Sequence, residues 1–418
     1  MPSTADTMRN ILLISYWYPP GVGAAAERMH SFARYLPEHR WNVHVLTAAR
    51  SGSIPRAQGV TIHAVPDPLA TSAAVFADFD PRRKPSRLKS WLREWTFPDR
   101  FIAWRRAALK AATGMVRQEH IDLVLASFPP ASVAELALRL RENGGPPIVL
   151  DFRDRWLGPG GYEPKSDRAR RRHIELEKRC IAAASAIVTV SEAMANAIAI
   201  EQGFARERIF VIPNGYDDQE PSPVLRPTGA PAATGLTISH VGTVIPRNRP
   251  DLFFHSVGAL QRSDALAGVT FEFVGNLSPD YIRSAGLADV IRTTGLVSRE
   301  EARHRMAQAD ALLLLTGAYV GRWGYNAKIF EYIRSGRAIL CLEESPGSND
   351  RRLLEEFAGN RTCLAMMGDA PGLKAAIVAL REQMATAPGL PTCPPAFSAY
   401  SRSGLAGKLA NHLWSLLG

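Results

Sequence analysis

The stretch that decides the fold is residues 328–340, which read KIFEYIRSGRAIL. Positions three apart share one face of a helix, so Lys328 and Glu331 are expected to point the same way. Gly336 then separates this helix from an apolar strand. An ammonium can meet a diphosphate, and a carboxylate can accept hydrogen bonds from both ribose hydroxyls. The pair therefore indicates a nucleotide site, although an ordinary surface ion pair fits the same spacing.

Length and composition set the class of protein. The chain has 418 residues, of which 46% are hydrophobic. A single core seldom exceeds about 250–300 residues, so we expect two domains. The four cysteines form no CxxC pair, which favours reduced thiols in the cytoplasm, without a zinc site or disulfides. The sequence shows no signal-peptide pattern and no apolar run of roughly 18–20 residues, so a soluble or peripheral protein is expected.

The net charge of +10 is concentrated in one segment. Between Arg82 and Lys110 stand ten Lys and Arg residues but only two acidic ones. Within this segment Leu88, Trp91 and Trp95 follow a helical apolar spacing, flanked by basic residues. Such a helix could lie on an anionic membrane surface, or its tryptophans could pack on the domain. No nucleic-acid-binding module accompanies the basic run, so nucleic acid is not an expected partner.

Short apolar strands alternate with helical patterns along both halves of the chain. This βαβ alternation predicts α/β domains with doubly wound parallel sheets. We expect an N-terminal domain over 1–215, a linker over 216–235, a C-terminal domain over 236–395 and a terminal helical segment over 396–418. The predicted strands of the first domain cover residues 10–15, 43–47, 60–65, 122–126, 147–151 and 186–190. Those of the second cover residues 237–241, 270–274, 292–294, 311–315 and 338–342.

Polar and glycine residues follow several of the predicted strands, where open parallel sheets bind ligands. In the first half, Gly21 and Gly23 precede a helix that carries Arg28, and free amides at a helix N-terminus favour phosphate. The sequence DFRDRW at 151–156 follows another strand. We expect Asp151, Arg153 and Asp154 to form part of an acceptor pocket, although a buried Asp–Arg pair that orders the loop explains the same residues.

The second half repeats this arrangement. Gly242 follows a strand, and Arg247 and Arg249 come soon after it, so they could form a diphosphate clamp with Lys328. Gly275 ends the next strand. The backbone of residues 294–297, which ends at Val297, could hydrogen-bond a nucleobase edge.

The motifs resemble those of GT-B glycosyltransferases, specifically the family-4-like group with a KxFEY pattern. The resemblance covers nearly the whole chain, and no single motif decides it. It implies two Rossmann-like domains that face each other across a cleft, with a C-terminal helix that crosses back to the N-terminal domain. It is carried by YPPG at 18–21, FPDR at 97–100, SFPP at 127–130, DFRD at 151–154, IPNG at 212–215, GT at 242–243, FVG at 273–275 and KIFEY at 328–332.

The resemblance also implies site residues and chemistry. A UDP- or GDP-linked sugar is the expected donor, transfer is expected with retention, and neither a cofactor nor a metal is expected. The implied catalytic residues are Arg247, Lys328 and Asp154. The implied donor-binding residues are Gly21, Gly23, Gly242, Arg247, Gly275, Val297, Lys328 and Glu331. The implied acceptor-binding residues are Arg28, Asp99, Trp104, Asp151 and Arg153.

Two departures from the family pattern leave alternatives open. Many members carry Glu-x7-Glu, but Trp323 stands eight residues before Glu331, and the loop SFPP lacks the histidine that many members carry. The expected function is glycosyl transfer in polysaccharide or glycoconjugate assembly, with a sugar or lipid-linked acceptor, on the inner face of the membrane if the basic segment docks there. The alternatives are transfer to a soluble natural product, and a catalytically inert nucleotide-sugar-binding protein. An epimerase or phosphorylase would need a further acid or a pyridoxal lysine, and the sequence offers no clear candidate.

Overall fold

The computed structural model describes residues 8–21, 23–49, 52, 57–68, 96–158, 161–220, 235–263, 265–386 and 393–418. These residues form two compact units. Unit 1 contains the described residues up to Asn214 together with Tyr400–Gly418, and unit 2 contains those of Gly215–Ala399. The apolar helix face around Trp91 and most of the predicted linker lie outside the described residues.

Unit 1 is built on a seven-stranded sheet whose strands pair in parallel. The strand order is β3-β2-β1-β4-β5-β6-β7, so the order reverses between β1 and β4. This reversal is the point at which doubly wound sheets bind ligands. The central strands are buried on both faces, which explains their continuous apolar runs. The strands are β1 Arg9–Ile14, β2 Trp41–Ala48, β3 Val60–Val65, β4 Leu123–Phe128, β5 Ile148–Phe152, β6 Ala186–Thr189 and β7 Ile209–Val211.

Helices cover this sheet. The C-terminal helix α13, Arg402–Ser415, belongs to unit 1, where Leu405, Leu409 and Leu413 pack with the buried side chains of α1 and β2. The final helix predicted from its amphipathic pattern therefore covers the first sheet. The other helices of unit 1 are α1 Ala24–Tyr35, α2 Ile102–Gln118, α3 Ala131–Glu142, α4 Asp167–Ala183 and α5 Glu192–Gln202.

Unit 2 has the same strand plan. Its six-stranded parallel sheet has the order β10-β9-β8-β11-β12-β13, with the reversal between β8 and β11. The strands are β8 Leu236–Val241, β9 Val269–Val274, β10 Ile291–Gly295, β11 Ala311–Thr316, β12 Ala338–Glu343 and β13 Thr362–Met366. The helices are α6 Pro250–Gln261, α7 Pro279–Ser284, α8 Arg299–Gln308, α9 Ala318–Trp323, α10 Ile329–Ser335, α11 Asn349–Ala358 and α12 Ala370–Thr386.

The predicted α/β class with two Rossmann-like sheets is confirmed. Sequence patterns missed β7, α5, α7 and α9 and, after β12, the elements α11, β13 and α12. Serine caps mark three of these helices, because the Ser191, Ser278 and Ser348 side chains accept hydrogen bonds from amides in the first turns of α5, α7 and α11. Among the described residues, no helix has the length and apolar character that crossing a membrane requires.

Candidate functional site

The candidate donor site lies in unit 2, at the carboxyl ends of β8 and β11. Gly242 follows β8 with a φ of +118°, a conformation that favours glycine. Gly275 follows β9, and a Cβ on Gly275 would lie 2.4 Å from the carbonyl oxygen of Gly242. The two backbones therefore approach too closely for any side chain at Gly275. The predicted glycines shape the first wall of the site.

Lys328 lies against this glycine wall. Its Nζ donates a 3.0 Å hydrogen bond to the Thr243 carbonyl oxygen, and a Cβ on Gly242 would lie 2.8 Å from its Cε. Burial lowers the pKa of Lys328 to about 8, and the negative charge of Asp350 opposes this effect. The hydrogen-bond partner of this ammonium is a neutral carbonyl, so an anion that binds here would add a stabilising negative charge.

Two aromatic side chains lie beneath this wall. The Val241 amide donates a 2.8 Å hydrogen bond to the buried Tyr332 hydroxyl, which anchors α10 to the end of β8. His240 is buried, with its Nδ1 3.1 Å from the Leu313 carbonyl oxygen. Burial, followed by the charge of Lys328, lowers the pKa of His240 to about 3, so this imidazole is neutral at physiological pH.

Glu331 has partners of its own. Its carboxylate accepts a 3.3 Å hydrogen bond from the Asp217 amide and lies 3.6 Å from the Arg334 guanidinium. Its side chain is 26% exposed, so part of the carboxylate remains accessible. Arg334 also donates to the carbonyl oxygens of Asp217 and Glu220. The ion pair of Glu331 therefore runs to Arg334, while the Lys328 ammonium bonds the Thr243 carbonyl.

The two arginines of the predicted clamp have different surroundings. Arg247 is exposed, and its guanidinium lies 5.5 Å from the Tyr319 ring centroid. Arg249 pairs with Asp251 at 2.9 Å and with Glu344 at 2.6 Å. Arg249 therefore already has two carboxylate partners within the protein. Arg247 is the more exposed of the two arginines and stays a predicted diphosphate ligand.

The last predicted donor residue lies at the side of the sheet. Val297 follows β10, which is the edge strand beyond β9, and its side chain is half-buried. Gly275 and the Lys328 side chain both lie close to Gly242. Val297 is further away, because it follows a strand that is two places from β8 in the sheet.

Trp323 is the last residue of α9, and the Arg322 guanidinium lies 4.5 Å from its ring centroid. The Asn349 side chain holds this turn by donating 3.1 Å hydrogen bonds to the carbonyl oxygens of Arg322 and Gly324. An aromatic and cationic pair thus occupies the position at which the family pattern often has an acid.

Asp350 is a site residue that sequence reasoning missed. It is fully buried in α11 and accepts hydrogen bonds from the Thr316 hydroxyl at 2.7 Å and the Asn326 amide at 2.9 Å. The only sequence signal is the capping serine, Ser348, two residues earlier. That signal indicates a helix start but not a buried charge.

In unit 1, Arg28 and Asp151 form a buried ion pair. Arg28 Nη2 lies 2.8 Å from Asp151 Oδ1, with side chains only 1% and 0% exposed. Arg28 also donates to the carbonyl oxygens of Ile212 and Pro213, at 2.8 and 3.0 Å. Residues without exposed surface cannot contact an acceptor. The predicted acceptor contacts of Arg28 and Asp151 are therefore corrected to a role in ordering the loops.

Arg153 continues this network. The Ser127 hydroxyl donates a 2.8 Å hydrogen bond to Asp151 and accepts one of 2.9 Å from Arg153 Nε. Arg153 Nη2 donates to the Pro129 carbonyl oxygen at 2.5 Å. Burial lowers the pKa of Arg153, and the charges of Asp151 and Asp154 oppose this effect. Arg153 thus stabilises the loop after β4 through these hydrogen bonds.

Asp99 and Trp104 are also structural. Asp99 accepts hydrogen bonds from the Ser132 amide at 2.9 Å and from the Tyr162 hydroxyl at 2.8 Å, at the N-terminus of α3. A carboxylate is favourable there because it complements the helix dipole. Trp104 is 0% exposed and packs edge-on against Tyr16. Both side chains are buried, so their contacts within the protein account for them without an acceptor.

Asp154 is the predicted unit 1 residue that borders a cavity. It lines a small cavity between α4 and α5 together with Trp156 and Glu177. Burial raises the pKa of Glu177 to about 7. Asp154 lies in unit 1, whereas the other two predicted catalytic residues, Arg247 and Lys328, lie in unit 2.

The glycine loop of unit 1 precedes α1. The Gly21 amide donates a 3.0 Å hydrogen bond to the Tyr18 carbonyl oxygen, so a turn already uses this donor. Gly23 is the exposed N-cap of α1, with a φ of +114°, and among the described residues beyond its chain neighbours none comes within 4 Å of the place where a Cβ would stand. Among the described residues, no group of three or more His, Cys, Asp or Glu side chains could hold a metal ion.

Solved structures share this two-unit architecture, which is the GT-B fold. Sucrose-phosphate synthase from Thermosynechococcus elongatus is 13% identical, with a TM-score of 0.67 over 97% of this chain and 99% of that one. The catalytic domain of starch synthase IV from Arabidopsis thaliana, bound to ADP and acarbose, is 11% identical, with a TM-score of 0.58 over 99% of each chain. UDP-GlcNAc 2-epimerase from Methanocaldococcus jannaschii is 11% identical, with a TM-score of 0.53 over 98% of this chain and 100% of that one. Such low identities establish the fold alone.

The family resemblance is confirmed as well. The family model of Glycosyltransferase Family 4 matches residues 25–220, which lie almost entirely in unit 1. A comparison with curated protein sequences finds no match. This match supports sugar transfer as the activity class.

Proposed function

We propose that the chain transfers a sugar from a nucleotide-sugar donor to an acceptor hydroxyl, with the donor held by unit 2. The observation that carries this proposal is the Lys328 ammonium, which lies at the sheet reversal against a glycine wall and has a neutral carbonyl as its hydrogen-bond partner. Phosphate groups can approach such a wall closely because it carries no side chains. The match to the family 4 model, which lies almost entirely in unit 1, supports the same class of activity.

Lys328 and Arg247 are the proposed ligands of the diphosphate. During transfer the bond between the sugar C1 and the phosphate oxygen breaks, and negative charge develops on the departing diphosphate. The Lys328 ammonium, held against the glycine wall, and the Arg247 guanidinium are proposed to stabilise that charge. In the retaining front-face route that family resemblance suggests, the departing phosphate oxygen accepts the proton of the acceptor hydroxyl while the acceptor oxygen bonds to C1.

Donor recognition is assigned to residues around the same strand ends. The accessible part of the Glu331 carboxylate is the proposed acceptor for the ribose hydroxyls. The backbone at Gly275 and Val297 is proposed to meet the base of a UDP- or GDP-linked sugar.

The acceptor is assigned to unit 1, at Asp154, which borders a cavity, and at the exposed Gly23 loop. A lipid-linked or sugar acceptor in polysaccharide or glycoconjugate assembly is proposed, with peripheral binding to an anionic membrane. The described end of the basic segment contributes exposed Arg100, Arg106 and Lys110. Liposome co-sedimentation with anionic lipid tests this part, and no binding at low salt would contradict it.

The main experiment measures nucleoside diphosphate released from a panel of UDP-, GDP- and dTDP-sugars with candidate sugar, lipid-linked and natural-product acceptors. We expect acceptor-dependent release with one donor, lost in Lys328→Met. Interconversion of the donor sugar without release would instead place the chain with epimerases of this fold.

A catalytically inert nucleotide-sugar-binding protein is the second candidate. Trp323 favours it, because a tryptophan with a neighbouring arginine replaces the acid that the family pattern often has near the transferred sugar. Saturable binding of a nucleotide sugar without release above the rate of Lys328→Met, across all acceptors, would favour this candidate.

A further inference from the structure

Asp350 is a buried carboxylate that the proposed chemistry leaves without a role. It lies in the first turn of α11 and has 0% exposed surface. A buried carboxylate is costly unless its oxygens are hydrogen-bonded and a positive charge lies nearby. The groups around Asp350 therefore show what stabilises the buried carboxylate.

The hydrogen bonds of Asp350 tie together the two ends of one segment. The Thr316 hydroxyl, at the end of β11, donates to Oδ2 at 2.7 Å, and the Asn326 amide donates to Oδ1 at 2.9 Å. The Asn326 side chain then donates to the Leu315 carbonyl oxygen at 2.9 Å and accepts from the Lys328 amide at 3.2 Å. The carboxylate thus fixes the backbone from which Lys328 extends.

Asp350 also acts on Lys328 through its charge. Burial raises the pKa of Asp350 to about 6, and the positive charge of Lys328 lowers it. In return, the charge of Asp350 raises the pKa of Lys328 against the effect of burial. The other titratable groups around this pair are His240 of β8, Cys341 and Glu343 of β12, and Arg351 of α11.

We propose that Asp350 is the positioning residue of the donor site, which orders the backbone before Lys328 and keeps its ammonium charged for an anionic diphosphate. This inference rests on the proposed function, because the site that it refines is the proposed donor site. Asp350 has no exposed surface, so it acts through Lys328 and does not contact the donor.

Asp350→Asn removes the charge and nearly preserves the shape. The asparagine carbonyl can still accept from the Asn326 amide, and its NH2 group can donate to the Thr316 hydroxyl. The matched control is Glu355→Gln, which neutralises a carboxylate on the same helix whose side chain is 55% exposed and paired with Arg351.

The first measurement is the pH dependence of Lys328 acylation by a small anhydride, followed by mass spectrometry in the ligand-free proteins. Only the neutral amine reacts, so the midpoint of labelling reports the pKa of Lys328. We expect the midpoint to move to lower pH in Asp350→Asn and to stay at the wild-type value in Glu355→Gln. Equal midpoints in wild type and Asp350→Asn would overturn the inference.

The second measurement is nucleoside diphosphate binding by calorimetry across pH. We expect Asp350→Asn to bind nucleoside diphosphate several-fold more weakly than wild type near neutral pH. As the pH rises, the affinity of the variant should begin to fall at a lower pH than that of wild type. A wild-type protein that binds no nucleoside diphosphate would overturn the proposed function, whereas the labelling result bears on the Asp350–Lys328 coupling independently of it.

A third variant keeps the test informative if Asp350→Asn does not fold. Thr316→Val removes the 2.7 Å hydrogen bond but retains the carboxylate. We expect weaker nucleoside diphosphate binding, because the segment before Lys328 loses one of its ties. Binding equal to that of wild type would overturn the positioning role.

Discussion

At the carboxyl ends of the strands, the two sheets give a buried cation different partners. In unit 1, Arg28 meets the Asp151 carboxylate, and neither side chain is more than 1% exposed. In unit 2, Lys328 meets the neutral Thr243 carbonyl, and burial lowers its pKa to about 8. Both sheets reverse their strand order at this edge. The same strand plan thus holds one cation that is paired with a carboxylate and, among the described residues, one whose hydrogen-bond partner is a carbonyl and whose pKa is raised by the charge of Asp350.

This difference distinguishes a charge that stabilises the fold from a charge that can bind a ligand. A buried pair that satisfies all of its hydrogen bonds orders the loops but has no affinity left for a ligand. A cation that bonds only a carbonyl gains energy when an anion arrives, because the anion supplies the missing countercharge. We therefore assign anion binding to the edge of the second sheet and loop order to the edge of the first.

Breaking the buried pair of unit 1 should have the largest effect on stability. Asp151→Asn leaves the Arg28 guanidinium buried without a countercharge, which typically costs about 3–5 kcal/mol. Urea denaturation followed by tryptophan fluorescence measures the free energy of unfolding, and most described tryptophans lie in this unit.

A double variant separates the ion pair from simple packing. Arg28→Met combined with Asp151→Leu removes both charges, and we expect it to lose less stability than Asp151→Asn alone. If the double variant were less stable than Asp151→Asn, the hydrogen bonds and packing of the two side chains would contribute more to stability than the neutralisation of their charges.

The glycine wall of unit 2 gives the next largest effect. In Gly275→Ala, the new Cβ would lie 2.4 Å from the Gly242 carbonyl oxygen, so one backbone must move. Overpacking of this kind costs about 1–3 kcal/mol, and the movement would also displace the wall beside Lys328. Calorimetry should show weaker nucleoside diphosphate binding, while unchanged binding would mean that the wall does not shape the site.

An exposed ion pair of unit 1 should give the smallest effect. Arg155 and Glu201 pair with side chains 24% and 48% exposed, so water already screens their charges. Glu201→Gln should change the free energy of unfolding by less than about 1 kcal/mol in the same urea experiment. A loss as large as that of Asp151→Asn would contradict the link between burial and cost.

Sequence patterns predicted most of the fold because the signals were local. Strand β3 coincides with its predicted range, and the other predicted strands differ by one or two residues at their ends. The elements after β12 were missed. Their last strand, β13, is short and only partly buried, so its residues lack a continuous apolar run.

Site residues could be predicted from sequence only where a suitable residue type stands directly after a predicted strand or at the start of a predicted helix. Gly242, Gly275 and Lys328 could be predicted because glycines and a cation directly follow strands or begin a helix. The Arg28–Asp151 pair could not be resolved from sequence, since its members are 123 residues apart and only the folded sheet shows that they neutralise each other. Asp350 was missed for the same reason.

The central claim is that the Lys328 ammonium binds the donor diphosphate. Its pKa of about 8 lies below the usual value, so the charged form is present below about pH 8 and is lost above it. Calorimetric titration of wild type and Lys328→Met with UDP and GDP, from pH 7 to 9, tests the claim most directly. We predict that wild type binds one of them at pH 7 with an affinity that falls through pH 8, and that Lys328→Met binds it weakly at every pH. Equal affinities of the two proteins, with the same pH dependence, would contradict the claim.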